Sequence, residues 1–176
     1  HNLMINIFKT MKKIALIPAL LAFSFIQAQQ AFSGKGDQKL SIGLNTQNGG
    51  NAIQISYDLG LGDNISYGFV SSYILGFDAI GEGSKPDFKD RIDAKIRFNA
   101  NLGNVIKIDE KLDVYPGLSL GLKNFGGHVG ARYFFTDGFG LFTEAGFPIA
   151  KYSESTRYFY PLNNQFTFTI GASFNL

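Results

Sequence analysis

Apolar and polar residues alternate one for one along most of this chain. In RIDAKIRFNANL, Ile92, Ala94, Ile96, Phe98, Ala100 and Leu102 share one face, and Arg91, Asp93, Lys95, Arg97, Asn99 and Asn101 share the other. The closing QFTFTIGASFNL sets Phe166, Phe168, Ile170, Ala172, Phe174 and Leu176 against Thr167, Thr169, Gly171, Ser173 and Asn175. A period of two marks strands whose two sides meet different surroundings. The pattern predicts eight strands, at about 38–46, 51–59, 64–77, 88–103, 111–123, 127–136, 139–148 and 164–176. Most approach the roughly 9–11 residues that a tilted strand needs to cross a bilayer.

The connections differ in length. GLGDN, the turn near Lys107–Lys111 and TDGFG are short, whereas DAIGEGSKPDF and PIAKYSESTRYFYPLN are long and polar. Outer-membrane barrels carry short turns on the periplasmic side and longer loops outside. With an even strand count and both chain ends in the periplasm, the two long connections fall outside. The expected fold is all-β: an eight-stranded antiparallel up-and-down transmembrane β-barrel over 38–176. Pro116, in DVYPGLSLGL, has no N–H for a ladder, so a bulge or local break is expected beside Gly117.

Charge gives the strands an inside. RYFFTDGFGLFTEAGF is rich in aromatics yet contains Arg132 and Glu144. A hairpin centred near Gly138 would set these two opposite each other as an ion pair on one face. The same face carries Lys39, Arg91, Lys95, Arg97 and Lys123, with Asp58, Asp93 and Asp113. An eight-stranded lumen is narrow enough for side chains to fill, so these charges should form a polar plug and not an open pore. Tyr57, Tyr67, Tyr73, Tyr133, Phe139 and Phe147 fall on the other face, where they suit aromatic girdles. The opposite sense, with an apolar lumen, would describe an exported soluble barrel carrying an apolar ligand.

The N-terminus reads as a leader. Met11 is followed by Lys12-Lys13, an apolar run from Ile14 to Ile26 and small Ala28, which predicts cleavage after Ala28. Residues 1–28 therefore group as upstream residues plus signal peptide, starting at Met4 or Met11, and 29–37 as a short, flexible lead-in that contains GKGD. Loss of Lys9, Lys12 and Lys13 leaves 13 basic against 14 acidic residues, a net charge of −1. That balance gives no electrostatic footprint for nucleic acid. With no cysteine, disulfide frameworks and thiolate metal sites are excluded.

DVYPGLSLGLKNFG, GARYFFTDGFGLFTEAG, PIAKY and NNQFTFTIGASFNL resemble the small outer-membrane β-barrel proteins of Bacteroidota, notably an uncharacterised flavobacterial family. The similarity covers about Phe32 to Leu176, and the architecture is like that of OmpX or the OmpA membrane domain. The resemblance implies a fold and an outer-membrane location, but no activity, cofactor or site residues. The last strand resembles the C-terminal signal read by the barrel-insertion machinery, though Leu176 stands where Phe is more usual. Membrane lipid and that machinery are the implied partners.

Chemical motifs are few. GLSLG fits a nucleophile-elbow pattern, but Ser119 lies mid-strand with no helix after it. His128, the one histidine beyond the leader, stands beside Gly126-Gly127 at the start of the sixth strand and fits a solvated loop residue, or the base of a lipid-modifying enzyme at the outer rim. Glu82, Asp87 and Asp90 make a weak carboxylate-only calcium set. GKGD lacks the length of a phosphate-binding loop. In the last long loop, Tyr152, Arg157, Tyr158, Phe159 and Tyr160 combine residue types favoured at binding hot spots, which leaves an extracellular ligand or protein partner open. No catalytic, metal or cofactor residue is assigned. The leading expectation is a non-enzymatic barrel with an envelope-structural or surface-contact role, against a soluble carrier, a rim enzyme or a narrow solute channel.

Overall fold

The computed structural model describes residues 30–77, 85–152 and 161–176. Eight strands run in order: β1 (Gln38–Gln47), β2 (Gly50–Gly62), β3 (Ile65–Phe77), β4 (Ile92–Ala100), β5 (Leu112–Gly121), β6 (Asn124–Phe134), β7 (Phe139–Lys151) and β8 (Thr167–Asn175). Each pairs antiparallel with its sequence neighbour, and β1 pairs with β8 from Lys39↔Asn175 to Gln47↔Thr167 to close the barrel. Closure leaves no free edge for a stray chain to pair with.

Alternation translates directly into inside and outside. Ile42, Leu44, Ile55, Phe69, Ile96, Phe98, Leu118, Leu120 and Ile170 are exposed on the outer wall. Lys39, Asp58, Asp93, Arg97, Asp113, Arg132 and Glu144 are buried within. The usual arrangement of a water-soluble domain is therefore inverted. Tyr133, Phe139 and Phe147 of the expected girdles are exposed, and Tyr57, Tyr67 and Tyr73 are half-buried.

Several boundaries depart from the alternation. Residues 88–91 belong to a single helical turn and not to the fourth strand, because Asp87 and Asp90 form a capping box at its start. The sixth strand begins at Asn124, since Leu122-Lys123 alone turns the chain from β5 to β6. The connection from β4 to β5 is longer than expected and contains a helical turn at Gly103–Ile106. Pro116 sits at a local break with no bulge: the ladder to β4 ends one residue short, at Asn99↔Gly117, while the ladder to β6 continues through Pro116↔Val129. That is the break a residue without a donor imposes.

Both mouths are stopped. At the mouth nearest the termini, Ala31 and Phe32 are buried. The Ala31 N–H donates to the Glu110 carbonyl at 2.7 Å, and Asn104 Nδ2 donates to the Phe32 carbonyl at 3.1 Å. The described part of the lead-in, from Gln30, is thus a pinned stopper and not a flexible tether. At the far mouth, Leu162 packs on Ala52 and Ile74, beside buried Asn163 and Asn164. Asn163 adopts φ +61, a left-handed conformation that asparagine tolerates better than most residues.

Candidate functional site

The buried polar interior is where this chain concentrates its chemistry, and its centre is Asp58. Arg97 grips that carboxylate with two N–H groups, Nε to Oδ1 at 2.7 Å and Nη2 to Oδ2 at 2.6 Å. Its remaining nitrogen, Nη1, donates to Glu144 Oε2 at 2.7 Å. Arg132 Nη2 reaches Asp58 Oδ2 at 3.2 Å, and its Nε lies 3.6 Å from Asp113 Oδ2. The Arg132 guanidinium also stacks 4.0 Å from the Tyr115 ring centre. Two guanidinium groups thus sit among three carboxylates away from water, and the planar bidentate grip of Arg97 on Asp58 is the strongest of these pairings.

Missing side chains make room for this cluster. Gly68 lies between Asp58 and Arg97 in register, and a Cβ there would strike the Asp58 carboxylate and the Tyr57 carbonyl. Gly130 likewise occupies the place where the Tyr115 ring lies. Gly130→Val is expected to destabilise the barrel by about 1–3 kcal/mol through overpacking. The urea midpoint of the folded species would measure it.

Neutral polar groups extend the network toward both mouths. Asn99 Nδ2 donates to Asp58 Oδ1 at 3.2 Å and to Ser66 Oγ at 3.0 Å. Gln54 Nε2 donates to Glu144 Oε1 at 3.2 Å, and Asn45 Nδ2 donates to Gln54 Oε1 and Thr169 Oγ1. Nearer the termini, Lys39 pairs with Asp37 and lies over the rings of Phe32 and Phe134. Toward the far mouth, Asp93 pairs with Lys95 at 3.4 Å. Between this end and the central cluster is a cavity of about 40 Å3, lined by Asn45, Gln54, Ser72, Asp93, His128 and Asn163 among others. That is space for a water or two, and too little for an organic substrate.

The structure corrects four expectations from sequence. Arg132 and Glu144 do not face each other: the β6–β7 ladder closes at Phe134↔Gly140, so Arg132 opposes Phe142 and Glu144 opposes Gly130. The turn centres on Asp137 and not Gly138. This keeps both charges inside but gives them other partners. Arg91 is not in the lumen, because the helical turn carries it outside, 4.6 Å over the Tyr73 ring. Lys123 belongs to the β5–β6 turn and not to a strand; its Nζ donates across the far mouth to the Asp90 and Leu162 carbonyls at 2.7 and 3.1 Å. Burial draws its pKa below the usual lysine value, against the opposing pull of Asp93 and Asp90. His128 is neither a solvated loop residue nor at the rim: it is buried within β6, with Nε2 2.7 Å from Asn99 Oδ1.

Ser119 faces inward near the end of β5, opposite Gly126. Asp87 and Asp90 cap the helical turn. Tyr152 is exposed just beyond β7. Glu82, Arg157, Tyr158, Phe159 and Tyr160 lie outside the described residues. Alternation places Asn45, Gln54, Asn99 and Tyr115 inside, so their roles were open to reading. Asn163 comes from a connection where no period operates.

A family model described as "Family of unknown function (DUF6646)" matches residues 22–176. The chain belongs to this family. No curated protein matches the chain. Among solved structures, the DUF6646 chain is similar to a designed protein reported under "De novo design of transmembrane beta-barrels". The TM-score is 0.54 at 12% identity, over 82% of this chain and 99% of the designed one. It is also similar to the Yersinia pestis outer membrane protein Ail in a phospholipid bilayer nanodisc, with a TM-score of 0.47 at 12% identity over 81% of this chain and 100% of that one. At such identities the likeness to the designed protein concerns the barrel fold.

Proposed function

We propose that this DUF6646 chain is a non-enzymatic integral barrel of the outer membrane, with an envelope-structural or surface-contact role carried by its far-mouth loops. The observation behind this reading is the inversion of polarity, with Arg97, Asp58, Arg132 and Glu144 buried while Phe98, Phe69 and Ile170 stand exposed. A wall of that kind is stable where hydrocarbon surrounds it and the ions within pair with one another. The export signal read in residues 1–28 supports the same compartment, as does a last strand suited to the insertion machinery. Fractionation of cells expressing the full chain tests it. Recovery in detergent-extracted outer membrane is the expected result, and recovery in soluble periplasm would reject the reading.

An apolar-ligand carrier is disfavoured by the absence of an apolar cavity inside the barrel among the described residues. The channel alternative is disfavoured by the Ala31–Phe32 and Leu162–Asn163 stoppers. In planar-bilayer recordings the protein is expected to carry no steady current. A constant ion conductance would overturn the sealed-lumen account.

A further inference from the structure

On the outer wall, near the far mouth, one place is neither smooth nor purely apolar. The row Ile55↔Ser71↔Ala94 runs across β2, β3 and β4 and is continued by Leu122, whose N–H bonds to the Ala94 carbonyl. Ser71 and Ala94 are small, while the neighbouring row Tyr57↔Phe69↔Ile96↔Leu120 is bulky. The result is a pit of about 490 Å3 with Ser71 and Ala94 as its floor. That volume lies within the range of small-molecule sites.

Two residues further toward the mouth, about 7 Å along the strand, Tyr73 pairs with Ile92 and supports a fixed cation. Arg91 lies over the Tyr73 ring at 4.6 Å and near Phe77 at 5.9 Å. It donates Nε to the Ile74 carbonyl at 2.9 Å and Nη2 to the Leu75 carbonyl at 3.4 Å. These bonds hold the guanidinium in place and leave other N–H groups of its five-donor fork available. Exposed Phe88 packs against Tyr73, with ring centres 5.9 Å apart. Lys89 stands in the same helical turn, but Asp87 lies 3.8 Å from it. Among the described residues no carboxylate pairs with Arg91.

We propose that this pit and this arginine form one site for a single anionic, phosphate-bearing lipid, its phosphate on Arg91 and one acyl chain against Ser71 and Ala94. The site rests on the reading that the outer wall meets lipid. An arginine fork favours phosphate, and a stacked, immobilised one loses less freedom on binding. The pit below it supplies the apolar contact for the chain.

The test is native mass spectrometry of the chain released from nanodiscs of phosphatidylcholine doped with phosphatidylglycerol. One phosphatidylglycerol is expected to remain bound in preference to phosphatidylcholine. Arg91→Gln should lower its occupancy about tenfold, as expected for one lost charge-assisted hydrogen bond. Ala94→Phe, which fills the pit without touching the lumen, should lower it comparably, with Ser71→Phe as a second filling variant. Heat-shifted gel mobility verifies that each variant is folded. Equal retention by the unaltered chain and both classes of variant, or no preference for phosphatidylglycerol, would mean annular lipid only and would overturn the site. Failure of the unaltered chain to enter nanodiscs would instead remove the membrane reading, and the site with it.

Discussion

Replacing Asp58 with alanine is expected to cost the barrel about 3–5 kcal/mol, the penalty for leaving buried charges without their partner. Asp58 accepts from both Arg97 and Arg132. Without it Arg97 keeps Glu144 and Arg132 keeps Asp113, but the guanidinium N–H groups that Asp58 held lose their acceptor in a space closed to water. Equilibrium urea unfolding in lipid vesicles measures the loss. Adding Arg132→Met to the Asp58 variant should recover part of it, because one guanidinium left short of acceptors is then removed. The two substitutions should therefore be strongly non-additive. A cost below about 1 kcal/mol, typical of solvated ion pairs, would show that water reaches the cluster.

The second large effect belongs to the outer wall. Ile170 lies in the middle of β8 and is exposed. Ile170→Arg is expected to destabilise the barrel by about 2–4 kcal/mol, the cost of a cation near the midplane of a bilayer. Asn51→Arg, at the far end of β2, should cost about 0–1 kcal/mol, as near an interface. A soluble barrel would accept both changes with similar indifference. The difference between the two positions therefore reports the surroundings of the wall and not local strand preference.

What could be read from sequence divides along a physical line. Side-chain direction in a strand depends only on parity. Arg97, Asp58 and Asp113 could therefore be placed inside, and Phe98 and Ile170 outside, without knowing any partner. Partner identity depends on register, and register depends on where a turn centres. Moving the β6–β7 turn from Gly138 to Asp137 kept Arg132 and Glu144 on their face while giving them different neighbours. Parity also fails once a strand ends. Arg91 continues the alternation of β4 in sequence, yet the helical turn capped by Asp87 and Asp90 rotates it onto the outer wall. His128 departs from expectation for the converse reason: a Gly-Gly pair suggests a loop, but Gly126-Gly127 lies within β6. The stoppers at Phe32 and Leu162-Asn163 come from segments without periodicity, where only tertiary contact decides burial.

The central claim concerns which wall meets hydrocarbon, and the chain's lack of tryptophan makes it directly measurable. Single-tryptophan variants Phe98→Trp, on the outer face, and Phe142→Trp, on the inner face, would be reconstituted in bilayers with brominated acyl chains. Strong quenching at position 98 with little at 142 is the expected outcome. Equal quenching, or quenching at 142 alone, would contradict a barrel that holds its ions inside and turns its aromatic wall toward lipid.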